Sequence, residues 1–300
     1  MSLRVGIVGW GEIAKTHFSK IKKTGAQVCA IVSRKSMLDI DIPVFSSIDD
    51  MFPHVDAVAI AVPNFLHASS CLKAVSAGKA VYVEKPICIT EEELNELDQV
   101  LPKLKIPVHV GYRLRWNPTV IKLRESIKGV KKISCVYNLA MNKLDDNKGW
   151  TTKYKMSGGG FFTLGVHALD LARWLARARG EPLVNFSANT KGIESSCDFP
   201  LYVRLSGTLP SGIEIIAGAD HRRGTPYSLS IEIESDEGSY PDGIHNPPDF
   251  DDEDIEFEAI FRNFISAAEQ GLWDQDEHNE IIQTHRELLE ARRITSSSKE

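Results

Sequence analysis

The sequence predicts an α/β chain of two domains, a doubly wound parallel sheet followed by an α+β domain on an open, mostly antiparallel sheet. Three observations predict it. Apolar runs of strand length alternate with helical patterns through the first third. A glycine turn follows the first run and opens the first helix. After residue 180 several strand patterns follow one another with no helix between them, which favours antiparallel pairing.

The elements follow in order. Strands are expected over 3–8, 26–32, 55–62, 80–83 and 107–111. A helix over 13–23 sits between the first two, and one over 68–77 stops at Gly78, a favourable residue just past a helix end. Thr90 with Glu93 reads as a capping box for a helix running to about 101. Past residue 120 the texture changes. A helix over 118–128 leads to a strand over 132–140, a polar loop over 142–155, and the run Ser157-Gly158-Gly159-Gly160. A long helix over 162–178 precedes strands over 183–190, 201–209, 213–219 and 228–234. A proline-rich acidic loop over 240–254 and helices over 257–270 and 277–293 complete the chain, with a frayed end over 296–300. The division is expected near residue 118, giving a dinucleotide-binding domain over 1–118 and a substrate-binding and oligomerisation domain over 119–300.

Composition bounds the function. Hydrophobic residues at 42% and charged residues at 25% describe an ordinary globular chain that buries a core without disulfide or metal staples. Thirty-five basic against 41 acidic side chains, net −6, disfavour a nucleic-acid or anionic-membrane surface. The local cluster Lys122, Arg124, Lys128, Lys131 and Lys132 reads as a solvated helix end. Five cysteines, Cys29, Cys71, Cys88, Cys135 and Cys197, form no CxxC pair and read as free core thiols in a reducing compartment. No signal peptide or membrane span is evident, so a cytoplasmic protein is expected. His278 and His285 stand seven apart with no third ligand nearby, so no metal site is expected.

Gly9-Trp10-Gly11-Glu12-Ile13-Ala14 fits GxGxxA between a strand and a helix. The first glycine allows a tight turn, the second lets a pyrophosphate approach the backbone, and the helix N-terminus supplies N–H groups. This is the Rossmann pattern. The second strand ends at Ser33-Arg34-Lys35, a hydroxyl and two cations where an NAD site usually offers a carboxylate. That tip suits a 2′-phosphate and favours NADP, with NAD the alternative. Glu84-Lys85-Pro86 leaves the fourth strand at the edge where open parallel sheets bind ligands, and Lys85 there can donate to a substrate oxygen. Thr163, His167, Asp170 and Trp174 share one helical face beside an apolar stripe of Leu164, Ala168, Leu171 and Leu175, as on a helix at a cleft. Arg113, Arg115, Trp116 and Tyr154 are candidate substrate contacts, with Lys153, His221, Arg222 and Arg223 as weaker ones.

Several of these motifs occur in a familiar order. Gly9-Trp10-Gly11, Pro63-Asn64-Phe65-Leu66-His67, Ala77-Gly78-Lys79, Glu84-Lys85-Pro86, Arg115-Trp116-Asn117-Pro118, Gly158-Gly159-Gly160, Gly165-Val166-His167 and Asp170 together resemble the Gfo/Idh/MocA oxidoreductases over nearly the whole chain. The resemblance implies NAD(P)-linked hydride transfer on a sugar, polyol or nucleotide-sugar. It also implies a homodimer or homotetramer packed through the C-terminal sheet. Pro63, Asn64, His67 and Glu84 would join Gly9, Trp10, Gly11, Glu12, Ile13, Ser33, Arg34, Lys35 and Lys85 at the cofactor. Lys85 and His167 fall on the family's lysine and histidine. Four residues before that histidine the family commonly has aspartate, and this chain has Thr163. Asp170, one turn beyond His167, is then the expected electrostatic partner. The departure at 163 keeps open a second reading, a catalytically silent member that senses a nucleotide or sugar and regulates a partner.

Overall fold

The computed structural model describes residues 2–34, 40–140, 149–193, 197–239, 244–247 and 253–297. The chain divides into two units, each built from segments that are not contiguous. Met1–Cys88, Glu92–Trp116 and Asp252–His278 form the first; Ile89–Glu91, Asn117–Asp251 and Asn279–Glu300 form the second.

The first unit is a six-stranded parallel sheet. Its strands are β1 (Arg4–Val8), β2 (Gln27–Val32), β3 (Val44–Phe45), β4 (Ala57–Ile60), β5 (Ala80–Val83) and β6 (Val108–Val110), in spatial order β3-β2-β1-β4-β5-β6. Helices α1 (Glu12–Lys23), α2 (Ile48–Met51), α3 (His67–Ser76) and α4 (Glu91–Val100) connect them. β4 and β5 are buried at every residue, which explains continuous apolar runs such as Ala57-Val58-Ala59-Ile60 rather than alternation. β3 was not anticipated, because two residues carry no periodicity. The strand order reverses at β1, whose neighbours β2 and β4 lead away on either side. Gly9 has φ +102, and a Cβ there would collide with the Ala61 carbonyl oxygen, so the turn after β1 requires glycine.

In the second unit Asn117 caps α5 (Pro118–Ser126), its Oδ1 accepting the Thr119 and Val120 amides at 3.0 and 3.3 Å. The sheet comprises β7 (Val130–Asn138), β8 (Val184–Lys191), β9 (Tyr202–Thr208), β10 (Glu214–Asp220), β11 (Ser228–Ser235) and β12 (Gly238–Ser239), in order β12-β11-β7-β10-β9-β8. β13 (Ile244–His245) pairs with β11. β7 and β10 are parallel and the other pairs antiparallel, as a mostly antiparallel sheet requires. A short α6 (Tyr154–Ser157) leads through the glycines into a π-helical turn, Phe161–Gly165, and then α7 (Val166–Ala176). The helix expected over 162–178 is therefore wider at its start and stops at Arg177, which is left-handed.

The last two helices, α8 (Glu253–Gln270) and α9 (Gln275–Ser297), correct the expected contiguous division at residue 118. Phe257, Ile260, Phe261, Phe264 and Ile265 of α8 join the core of the first sheet. Burying each such side chain stabilises by about 1.5–3 kcal/mol, and that apolar face returns Asp252–His278 to the first unit.

α9 contributes to the second unit through an ion cluster on the C-terminal half of α7. Arg173 is fully buried; its Nε donates to Glu280 Oε1 at 2.6 Å, its Nη1 to Glu287 Oε1 at 2.7 Å, and its Nη2 to the Glu181 carbonyl at 2.9 Å. Burial drives the Glu287 carboxyl upward in pKa against the pull of Arg173. Removing the cation strands two buried carboxylates. Arg173→Ala is expected to lower unfolding free energy by about 3–5 kcal/mol, as for other broken buried pairs. Urea denaturation followed by circular dichroism measures this, and a loss under about 1 kcal/mol would contradict the role given to the cluster.

Candidate active site

All strands of the first sheet run parallel, so the turns after β2, β1, β4 and β5 lie side by side along one edge. Ligands bind such sheets at this edge, where the strand order reverses. Gly9, Trp10 and Gly11 form the turn after β1, and Glu12 and Ile13 open α1. Gly11 caps α1 without a side-chain hydrogen bond, and a Cβ at Gly11 would meet nothing within 4 Å. This open approach to a helix N-terminus fits a pyrophosphate. Glu12 is paired with Lys15 at 2.9 Å, which offsets its charge at that end. Trp10 packs edge-on against Phe18 at 5.6 Å. Beyond β2, the Ser33 amide donates to the Phe45 carbonyl at 3.1 Å and Arg34 is exposed; Lys35 lies outside the described residues.

Pro63 and the buried Asn64 follow β4. His67, 1% exposed, has Nδ1 2.7 Å from the Pro86 carbonyl and Nε2 2.7 Å from the Val62 carbonyl, tying the turns after β4 and β5 together. Burial pushes its pKa down, against the two carbonyls, which favour the charged ring.

Glu84 and Lys85 occupy the turn after β5, both half-buried, and the Lys85–Pro86 peptide is cis. The Glu84 carboxylate accepts from Tyr82 Oη at 2.9 Å, His17 Nε2 at 2.8 Å and the Lys85 amide at 3.3 Å. Burial alone would raise its pKa; the hydrogen bond and charge of His17, the Lys85 charge and the Tyr82 hydroxyl outweigh burial and hold it below the ordinary carboxylate range. A Cβ on Gly111, just past β6, would approach Tyr82 Oη to 2.8 Å and Glu84 Oε2 to 3.0 Å, so the hydroxyl and the carboxylate together favour glycine here.

The candidate residues of the second unit lie on the π-turn and α7. Thr163, His167 and Asp170 are 7%, 5% and 1% exposed, so the polar stripe is buried rather than solvent-facing. Thr163 Oγ1 lies 2.8 Å from His221 Nε2, just after β10. His167 packs edge-on against Tyr137 of β7 at 5.2 Å, and the Tyr137 and Tyr227 hydroxyls are 3.3 Å apart. Burial, with the Asp170 charge adding to it, pushes the Cys135 thiol of β7 well up. The stripe therefore follows the sheet: 163 meets the end of β10, while 167 and 170 meet β7. Trp174 instead holds α5, with the Arg124 guanidinium 4.2 Å over its ring.

Other expectations fare differently. Arg113 and Arg115, placed at the substrate mouth by the sequence, are buried in the first unit. Arg113 Nη1 pairs with Glu256, and Arg115 Nη1 donates to both Glu277 oxygens at 3.0 and 2.8 Å, so both serve to hold the returning C-terminal segment. Trp116 packs on the first core. Tyr154 opens α6, its ring beneath the Arg292 guanidinium at 5.4 Å. Arg222 pairs with Asp220 at 2.5 Å. His278 and His285 bond backbone carbonyls, and among the described residues no cluster of three or more His, Cys, Asp or Glu is arranged to hold a metal ion. Sequence reasoning missed His17 and Tyr82. A signal existed: His17 shares the buried face of α1 with Ala14 and Ile21.

Comparison with known proteins places these features. Residues 3–112 match the model of an oxidoreductase family with an NAD-binding Rossmann fold, and residues 130–240 match the GFO/IDH/MocA C-terminal domain. An inositol 2-dehydrogenase of Rhizobium meliloti (strain 1021) is 25% identical over 303 residues, covering 90% of each chain. The rhizopine catabolism protein MocA of Rhizobium meliloti is 26% identical over 195 residues, 62% of this chain and 60% of that protein. The crystal structure of GenD2 from gentamicin A biosynthesis, in complex with NAD, superposes with TM-score 0.84 at 16% identity, covering 99% of this chain and 95% of that one. Among the described residues no helix is long and apolar enough to cross a membrane.

Proposed function

Because this chain belongs to the Gfo/Idh/MocA family of NAD-binding oxidoreductases, we propose that it is a dehydrogenase that oxidises a CH–OH carbon of a sugar or cyclic polyol, or reduces the matching ketone. The observation that carries this reading is Lys85, whose amide donates to the largely enclosed Glu84 carboxylate at the ligand-binding edge of a sheet whose first helix end is open to a pyrophosphate. A bound nicotinamide supplies the hydride acceptor. The inositol 2-dehydrogenase relative motivates cyclic polyols as the first substrates to test.

The roles of the chain's own residues follow from their chemistry. Gly9 makes the tight turn after β1, and Gly11 leaves the backbone at the start of α1 accessible to the cofactor phosphates. Lys85 donates to the substrate oxygen and stabilises charge that develops there. His167 takes the hydroxyl proton in oxidation and returns it in reduction, a task suited to an imidazole. Thr163, engaged with His221, replaces a charged neighbour by a hydroxyl, and Asp170 supplies the negative charge on that helix. Retention of both Lys85 and His167 supports turnover over silent sensing. We assign the 2′-phosphate of NADP to the tip after β2, where Arg34 is exposed.

A panel of inositols, sugars and nucleotide-sugars, followed at the absorbance of the reduced nicotinamide, tests the activity. Lys85→Ala is expected to keep cofactor affinity and lose about 10²–10³ in kcat. A variant retaining most of its turnover would remove Lys85 from the mechanism.

Cofactor choice is tested separately. NADPH is expected to bind more tightly than NADH, and Arg34→Ala to remove most of the difference. A charge-assisted phosphate contact is worth about 1.5–3 kcal/mol, or about ten- to a hundredfold. Fluorescence titration showing equal or tighter NADH binding in the unmutated protein would overturn the NADP assignment.

A further inference from the structure

We propose that His17 is a positioning residue for Lys85, acting through Glu84; this rests on the role proposed above for Lys85. His17 lies in the second turn of α1, the helix whose first turn faces the cofactor phosphates in that reading. Its side chain is fully buried and its Nε2 is 2.8 Å from Glu84 Oε1. Since Glu84 can only accept, Nε2 carries the hydrogen. The other ring nitrogen, Nδ1, is buried and has no hydrogen-bond partner among the described residues. Around it the ring meets Tyr82, Phe257 and Phe261 edge-on, with centroids 5.2, 5.1 and 4.9 Å away. A histidine held only for packing would be better replaced by a phenylalanine or leucine in this box. Among the described residues its one polar contact is the one to Glu84.

That contact has a consequence for Lys85. A carboxylate in this place stays ionised only while donors compensate its burial. The titratable groups facing Glu84 are His17 from α1, Tyr82 from β5, Lys85 beside it in the turn, and His67 at the start of α3. Tyr82 occupies Oε1 together with His17, and the Lys85 amide reaches Oε2. The absence of a side chain at Gly111 leaves space that the Tyr82 hydroxyl and the carboxylate fill. Loss of the His17 donor therefore favours the protonated carboxyl, and the ammonium of Lys85 loses its adjacent negative charge. Lys85 then releases its proton at lower pH and is aimed less well. The same arrangement links the helix that would receive the cofactor to the turn that carries the lysine.

Three variants separate this from a packing role. The amide nitrogen of His17→Gln reaches the position of Nε2; that of His17→Asn reaches only the position of Nδ1; His17→Leu has no donor. Acetic anhydride labelling of Lys85 in the cofactor-free protein across pH, read by peptide mass spectrometry, follows its titration without any substrate. His17→Leu and His17→Asn are expected to shift that titration down by about one pH unit, at the lower end of the effect of a neighbouring opposite charge. His17→Gln is expected to restore it. On a turned-over substrate the first two variants should lose about 10- to 100-fold in kcat, with KM and cofactor affinity changed less than about threefold, and the basic limb of the pH profile should move with the labelling curve. A Lys85 titration unchanged in a folded His17→Leu or His17→Asn protein overturns the proposal, as does failure of His17→Gln to differ from His17→Asn. If the unmutated protein turns over no substrate, the dehydrogenase reading fails, and the labelling curves still decide the role of His17.

Discussion

A carboxylate buried at the end of a strand must find donors, and the requirement set by Glu84 organises the ligand-binding edge of the first unit. Its donors come from α1, β5 and the turn itself. With the Tyr82 hydroxyl it fills the space beside Gly111. His67 fixes the same turn from the other side by spanning the Pro86 and Val62 carbonyls. Four separated stretches of sequence thus meet around the turn that carries Lys85, and its backbone is held by the Glu84 carboxylate. Networks of this kind rigidify when every member is satisfied and are costly when one is missing.

The second unit meets a different constraint. The π-turn and α7 are buried apart from Trp174 and Ala176, so each polar residue on them needs a partner, from the sheet or from α9. Thr163 is bonded to His221, and Arg173 is enclosed by Glu280 and Glu287. The glycines at 158–160 admit the chain between α6 and the π-turn, where Gly160 packs so closely on Pro200 that a Cβ would lie 2.7 Å from its carbonyl oxygen. Stability and the placing of His167 therefore rest on the same helix.

Much of this was legible in the sequence, for physical reasons. Parallel strands buried on both faces are written as short apolar runs, and Gly9 marks a backbone conformation other residues avoid, so the sheet and its first turn could be read directly. Lys85 and Glu84 were legible because a charged pair at a strand exit breaks the apolar pattern. The return of α8 to the first unit was not, since an apolar helix face does not say which sheet it covers. Arg113 and Arg115 read as candidate substrate contacts because their partners, Glu256 and Glu277, lie more than 140 positions away. The polar residues at 163, 167 and 170 stand out by their spacing; their neighbours in the sheet do not, because they come from β7 and the end of β10.

The proposed dehydrogenase reaction requires direct transfer of hydrogen between a substrate carbon and the nicotinamide. Inositols and sugars deuterated at their carbinol carbons, incubated with the protein and oxidised cofactor, test this by mass spectrometry and proton spectra of the cofactor. A single deuterium at C4 of the reduced nicotinamide is the predicted result. Tight cofactor binding with no label transferred from any of these substrates would contradict the account.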